Sequence, residues 1–131
     1  MSLAENKSVY RHYVKLLGQP DHLEDVVTKD FIAHDLPATF PKGVEGLRAY
    51  RRAMMAAFPD QTSEIQDLIA EGDKVGARLL LTATHVHEYA GLKPTGRKFQ
   101  VDVFETVRIT DGKIAERWSL LDRVSLVQQL S

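Results

Sequence analysis

The chain has 131 residues, enough for one domain with one core and one pocket and little for a second. Seventeen Lys and Arg against eighteen Asp and Glu leave a formal charge of −1, which supplies no field for gripping a polyanion. The absence of cysteine excludes disulfides, thiolate nucleophiles and Cys-ligated metal centres, and is compatible with a reducing compartment. The N-terminus lacks a signal-peptide core, and the longest apolar stretch, around Val75–Ala83, is broken by Arg78. A soluble cytoplasmic protein is expected.

Val9/Tyr10, Tyr13/Val14 and Leu17 fall three to four apart and predict a helix over Leu3–Leu17, ended by Gly18-Gln19-Pro20. Asp21 starts a short second helix that turns Leu23, Val26 and Val27 inward. Asp30–Asp35 reads as a brief extended piece before a loop with Pro37, Pro41 and Gly43. A third helix over Glu45–Phe58 presents Leu47, Tyr50, Met54 and Phe58 on one side. Arg48, Arg51 and Arg52, with Lys42, read as a solvated basic face. Past Pro59 the period becomes extended, with strands at Thr62–Ala70, Lys74–Glu88, Lys98–Ile109 and Lys113–Asp122. Turn residues separate them. The tail from Arg123 is amphipathic, with Val124, Val127 and Leu130 expected to pack back. With no repeat or linker, residues 1–131 form a single domain, and helices segregated before hairpin-linked strands indicate an α+β fold.

Three segments resemble the SnoaL-like polyketide cyclase family. They are DFIAHD at Asp30–Asp35 with AAFPD at Ala56–Asp60, the THVHEYAGLKPTGR run at Thr84–Arg97, and DGKIAERW at Asp111–Trp118. The resemblance implies a cone in which a curved antiparallel sheet wraps over the helices, as in nuclear transport factor two, and a homodimer across the sheet. It also implies cofactor-free aldol cyclisation of a polyketide methyl ester, in which an Asp placed just after Trp118 removes a carbon-bound proton and a His on the preceding strand belongs to the same polar cluster. Carried over by position, that Asp falls on Ser119 and that His on Glu105. A serine without an attached base accepts no proton near neutral pH, so the sequence fits the fold better than the reference mechanism. Asp122 is the surviving nearby carboxylate.

Register decides which side chains reach the cone. A two-residue turn at Asp111-Gly112 pairs Glu105 with Trp118; a three-residue loop pairs it with Arg117. The apolar pattern favours the first, while the family mapping favours the second and sets Glu105, Arg117 and Ser119 on one face. The mapping is preferred. Glu105, amid Val103, Val107 and Ile109, is then either a base raised by apolar walls or half of an ion pair with Arg117 or Arg108.

Candidate catalytic residues are therefore Glu105, Asp122 and His34, and candidate pocket residues are Tyr13, His85, Arg117, Trp118 and Ser119. His34 and Asp35 sit at the cone mouth but, as neighbours in an extended segment, point opposite ways. His85-x-His87 lacks a further histidine to complete a metal site, and no metal or other cofactor is expected. Neither a phosphate loop nor a basic–aromatic surface appears, so no nucleotide, nucleic acid or membrane partner is expected. The leading expectation is a cone holding a mid-sized, mostly apolar, oxygenated small molecule, with cofactor-free acid–base chemistry if it is an enzyme. The alternative is a non-catalytic binding or dimerisation module of the same fold. An epoxide-hydrolase-like set would need Asp102, Arg117 and Asp122 to converge, which strand alternation opposes.

Overall fold

The computed structural model describes residues 1–131. Helix α1 spans Leu3–Leu16, and its start is a reciprocal cap: the Ser2 hydroxyl accepts from Glu5 N while the Glu5 carboxylate accepts from Ser2 N. The apolar stripe buries Tyr10, Tyr13 and Leu16. The expected short second helix forms as a 3-10 helix over Pro20–Asp25, opened by proline. Strand β1 follows over Val27–Ala33, earlier than the expected piece at Asp30, because Val27, Phe31 and Ala33 supply buried contacts.

Helix α2 spans Val44–Ala57. The expectation of a solvated basic face fails at two of its arginines. Arg48 is only 7% exposed and pairs with Glu24 and Glu45 while donating to the Pro20 carbonyl, which ties α2 to the 3-10 helix. Arg51 is half-buried and turns toward the interior; Arg52 and Lys42 are exposed. Four strands follow: β2 (Thr62–Glu71), β3 (Lys74–Thr84), β4 (Lys98–Thr110) and β5 (Lys113–Leu121). The sheet has five strands rather than four, in the order β1-β5-β4-β3-β2, with β1 parallel to β5 and the other pairs antiparallel. Strand β3 stops at Thr84, not Glu88. There Asp60 accepts from both Thr84 N and Oγ1, and a loop closed by Tyr89 and Leu92 begins.

The β4–β5 hairpin follows neither expected register. Thr110 faces Lys113 across a two-residue turn, with Asp111 at φ 50° and Gly112 at φ 78°, both in the left-handed region such turns need. The pairing then slips between Ile109↔Ile114 and Arg108↔Glu116, leaving Ala115 as a β-bulge. Glu105 consequently faces Ser119. The extra residue reverses the alternation, so the apolar pattern holds at the turn and the family mapping holds beyond it: Glu105, Arg117 and Ser119 share the inner face.

Helix α3 spans Arg123–Leu130, and Asp122 caps it by accepting from Ser125 N at 3.1 Å. Leu126 and Leu130, one turn apart, pack inward, whereas Val124 is 70% exposed and Val127 is exposed too; the expected packing of these valines fails. The core forms two clusters. Leu79 belongs to one, and Leu81, its next inward neighbour on β3, belongs with Met54 to the other. On the outer face Ile69, Phe104, Trp118 and Leu120 remain exposed along a groove of about 690 Å³.

Gly46 lies in α2 against the turn at Pro41, where an added methyl group would stand 1.5 Å from the Pro41 carbonyl oxygen. Helix propensity alone would favour Ala over Gly by about 1 kcal/mol. The clash is with backbone, which cannot swing aside, so Gly46→Ala is expected to destabilise by about 1–3 kcal/mol or more. Denaturant unfolding checks this, and an unchanged midpoint would refute it.

Candidate functional site

The gap between the two core clusters is a chamber of about 260 Å³ inside the cone. Tyr50, Met54, Leu79, Leu81 and Val103 give it apolar walls. Its polar lining includes Asp35, Arg51, Glu105, Arg117, Ser119 and Arg123. Arg117 arrives because the bulge turns it inward, and Asp35 because it follows β1. The backbone N–H of His34 donates to the Arg117 carbonyl, so the chain is still extended there and alternation sends Asp35 inward as His34 turns out.

Arg117 organises the buried charge. Its Nη2 donates to Asp35 Oδ2 at 3.1 Å, its Nη1 to the Tyr13 hydroxyl at 3.3 Å, and its Nε stands 3.8 Å from Glu105 Oε2. Glu105 accepts from the Tyr10 hydroxyl on its other oxygen. Arg117, Glu105, Tyr10 and Tyr13 are buried. Asp35 Oδ1 and Arg117 Nε are buried without hydrogen-bond partners.

Burial raises Tyr10 far above the ordinary phenol value, reinforced by Glu105, and holds Tyr13 at about 12 despite the pull of Arg117. Burial works to lower Arg117, but Tyr13, Glu105 and Asp35 outweigh it and hold the guanidinium charged. Burial also raises Asp35, and Arg117 only partly offsets this. The arrangement is a carboxylate–guanidinium–carboxylate set with one carboxylate oxygen unengaged. Such a group can exchange a proton with a bound molecule.

The structure brings together Glu105, Arg117 and Ser119 of the expected residues, with Tyr13 buried beneath Arg117. It separates the others. Asp122 is spent as the α3 cap, on an exposed residue outside the chamber lining. His34 stacks on Trp118 with ring centroids 4.9 Å apart and bonds Glu116 at 2.8 Å, which places both aromatic groups on the outer face. His85 is fully buried at the sheet end, where its Nδ1 meets Thr95, whereas His87 is exposed; the two do not converge. Asp102 lies near Arg78, 3.7 Å away, so the Asp102–Arg117–Asp122 set does not form. Asp35 and Arg51 also line the chamber. Alternation already pointed Asp35 away from His34, but helical spacing alone gave no cue that Arg51 would turn into the cone.

The structure is an α+β cone around a small chamber with buried acid–base groups. The sequence model of SnoaL-like polyketide cyclases matches residues 7–130, and the chain belongs to that family. It is 29% identical over 118 residues to the nogalonic acid methyl ester cyclase of Streptomyces nogalater, covering 86% of each chain. Among solved structures, TsrD from Streptomyces laurentii superposes with a TM-score of 0.87 at 26% identity, covering 100% of this chain and 98% of that one. A SnoaL-like polyketide cyclase from Agrobacterium tumefaciens superposes with a TM-score of 0.82 at 25% identity, with full coverage of both chains.

Because Asp35 binds its proton more tightly when folded, its contribution to stability is present below the unfolded value near 3.8 and is lost as pH rises through the higher folded value. Unfolding of the native chain and of Asp35→Asn, compared from about pH 3 to pH 8, should show the native chain losing ground to the variant as pH rises through the weakly acid range. Parallel curves would show that Asp35 titrates as it does in the unfolded chain.

Proposed function

We propose that the chamber binds a mid-sized, mostly apolar, oxygenated small molecule and that Asp35 moves a proton on it without a cofactor. The observation that carries this reading is the buried, unpartnered Oδ1 of Asp35, whose other oxygen Arg117 holds at 3.1 Å. Arg117 fixes the carboxyl, and burial moves its proton affinity toward the range useful to a general base. Glu105 accepts from Tyr10 through one oxygen and stands in ion-pair contact with Arg117 through the other, and in this reading it positions the guanidinium rather than serving as the base. The matching chemistry is removal of a proton from a carbon beside a carbonyl, the electron pair passing to the carbonyl oxygen as an enolate. Cyclisation, isomerisation or dehydration then follows. Similarity to a methyl ester cyclase supports that class. The chamber lies just below the usual range for ligand pockets, about 300–1,000 Å³, so it suits a compact ligand or one end of a longer one.

The test is hydrogen–deuterium exchange at the acidic carbon of an aryl β-keto ester. Asp35→Asn is expected to lower the enzyme-dependent rate by about 10²–10⁴-fold. Glu105→Gln should instead cost stability, about 1–3 kcal/mol, because it removes one charge from a buried pair while leaving Asp35 beside Arg117. Undiminished exchange in a folded Asp35→Asn protein would end the proposal. Ser119, at the position of the family's acid, favours a second reading, a non-catalytic binding module. That reading gains if the native chain accelerates no exchange and Ser119→Asp adds none.

We further propose that the outer face pairs two copies of the chain, since Phe104, Trp118, Leu120 and Ile69 leave apolar area in water. Light scattering at micromolar concentration should give a dimer mass, and a monomer mass would reject the pairing.

A further inference from the structure

The inner chamber adjoins a second hollow of about 180 Å³ near the C-terminal end of α1. Leu17, Arg51, Gln61 and Ser63 line both spaces. Among the 9 residues lining the outer hollow are two cations, Lys15 and Arg51, and no carboxylate. Arg51 bonds only neutral acceptors: its Nε donates to the Leu17 carbonyl at 3.2 Å and its Nη2 to Gln61 Oε1 at 3.1 Å. Its Nη1 bonds nothing in the protein. Arg48, Arg52 and Arg117 each pair with a carboxylate, whereas Arg51 has none within ion-pair distance. A half-buried guanidinium without a counter-ion is unusual, because an unpaired charge removed from water is disfavoured. Burial accordingly pulls Arg51 below its ordinary value, and Tyr13, Tyr50 and Glu105 resist that pull.

We infer that Arg51 receives the carboxylate of an organic acid, with the charged end in the outer hollow beside Lys15 and the apolar body in the inner chamber. The inference rests on the chamber reading above and names its substrate class. Three features fix the orientation. The guanidinium fork matches a planar carboxylate. In the inner chamber Arg117 is already paired with Asp35 and Glu105, so its charge is spent within the protein. The apolar walls of the inner chamber accept a ring or alkyl chain. Bound this way, the ligand presents the carbons remote from its acid group to Asp35. Arg51 is thus a specificity-determining residue, while Asp35 acts on the other end of the molecule.

The experiment compares phenylbutyrate with its neutral isostere phenylbutyramide by isothermal titration calorimetry. The acid is expected to bind the native chain about tenfold or more tightly than the amide. Arg51→Gln should abolish that preference, and Lys15→Gln, a change at an exposed side chain, should reduce it by a smaller factor. Asp35→Asn should leave the preference in place. Because Arg51 also ties Leu17 to Gln61, melting of Arg51→Gln is followed in parallel. If that variant does not fold, Lys15→Gln decides, and an unchanged preference there overturns the inference. Equal binding of acid and amide to the native chain overturns the inference alone. Failure of both compounds to bind overturns it together with the chamber reading.

Discussion

A guanidinium removed from water must be surrounded by acceptors and negative charge, and the interior of this cone is arranged around that demand at Arg117. Its partners come from three places in the chain: Tyr13 and, through Glu105, Tyr10 from α1, Asp35 from just after β1, and Glu105 from β4. Each reaches Arg117 only if its own element is in register. The bulge at Ala115 sets the side to which Arg117 points, and the parallel pairing of β1 with β5 brings Asp35 within reach. Without that extra residue the outer and inner sets on β5 would trade places beyond the turn. Trp118 would then enter the cone and Arg117 would face water. The aromatic groove outside and the charged chamber inside are two results of one local irregularity.

The chamber exists because the core is divided. Leu79 and Leu81 are consecutive inward residues of β3, yet they pack into different clusters. Between them the walls stay apolar, while polar groups come from β4, β5, α2, the start of α3 and the segment after β1. A proton-transfer group placed here meets low polarity on one side and a fixed cation on the other. These are the two influences that set its affinity for a proton.

Much of the fold was legible in the sequence because it depends on periodicity. The helical stripe of Tyr10 and Tyr13, the switch to extended pattern after Pro59 and the turn at Asp111-Gly112 each follow from local chemistry. The segments resembling the SnoaL-like family carried the cone. What escaped was set by tertiary context. The bulge leaves no composition signal, since Ala115 is small and unremarkable in a strand, so neither simple register matched. Val127 looked like a core residue until the cap at Asp122 fixed the helix phase and gave the inward positions to Leu126 and Leu130. That same cap engages Asp122 outside the chamber lining. Of the neighbours His34 and Asp35, alternation showed that only one could face inward, but choosing between them required knowing which side of β5 lay against β1. Arg48 and Arg51 read as surface because charge on a helix usually is; their burial depends on Glu24 and on the hollow beside α1.

Parallel pairing at the sheet edge also has a consequence for how the chain folds. Strand β1 is separated in sequence from its hydrogen-bonding partner β5 by β2, β3 and β4. Without β5, Asp35 and Glu105 lack the one guanidinium that pairs with both of them. Closing the cone over the two carboxylates alone would enclose like charges without compensation, which electrostatics opposes. One strand thus supplies both the hydrogen bonds that complete the sheet and the charge that lets the interior dry.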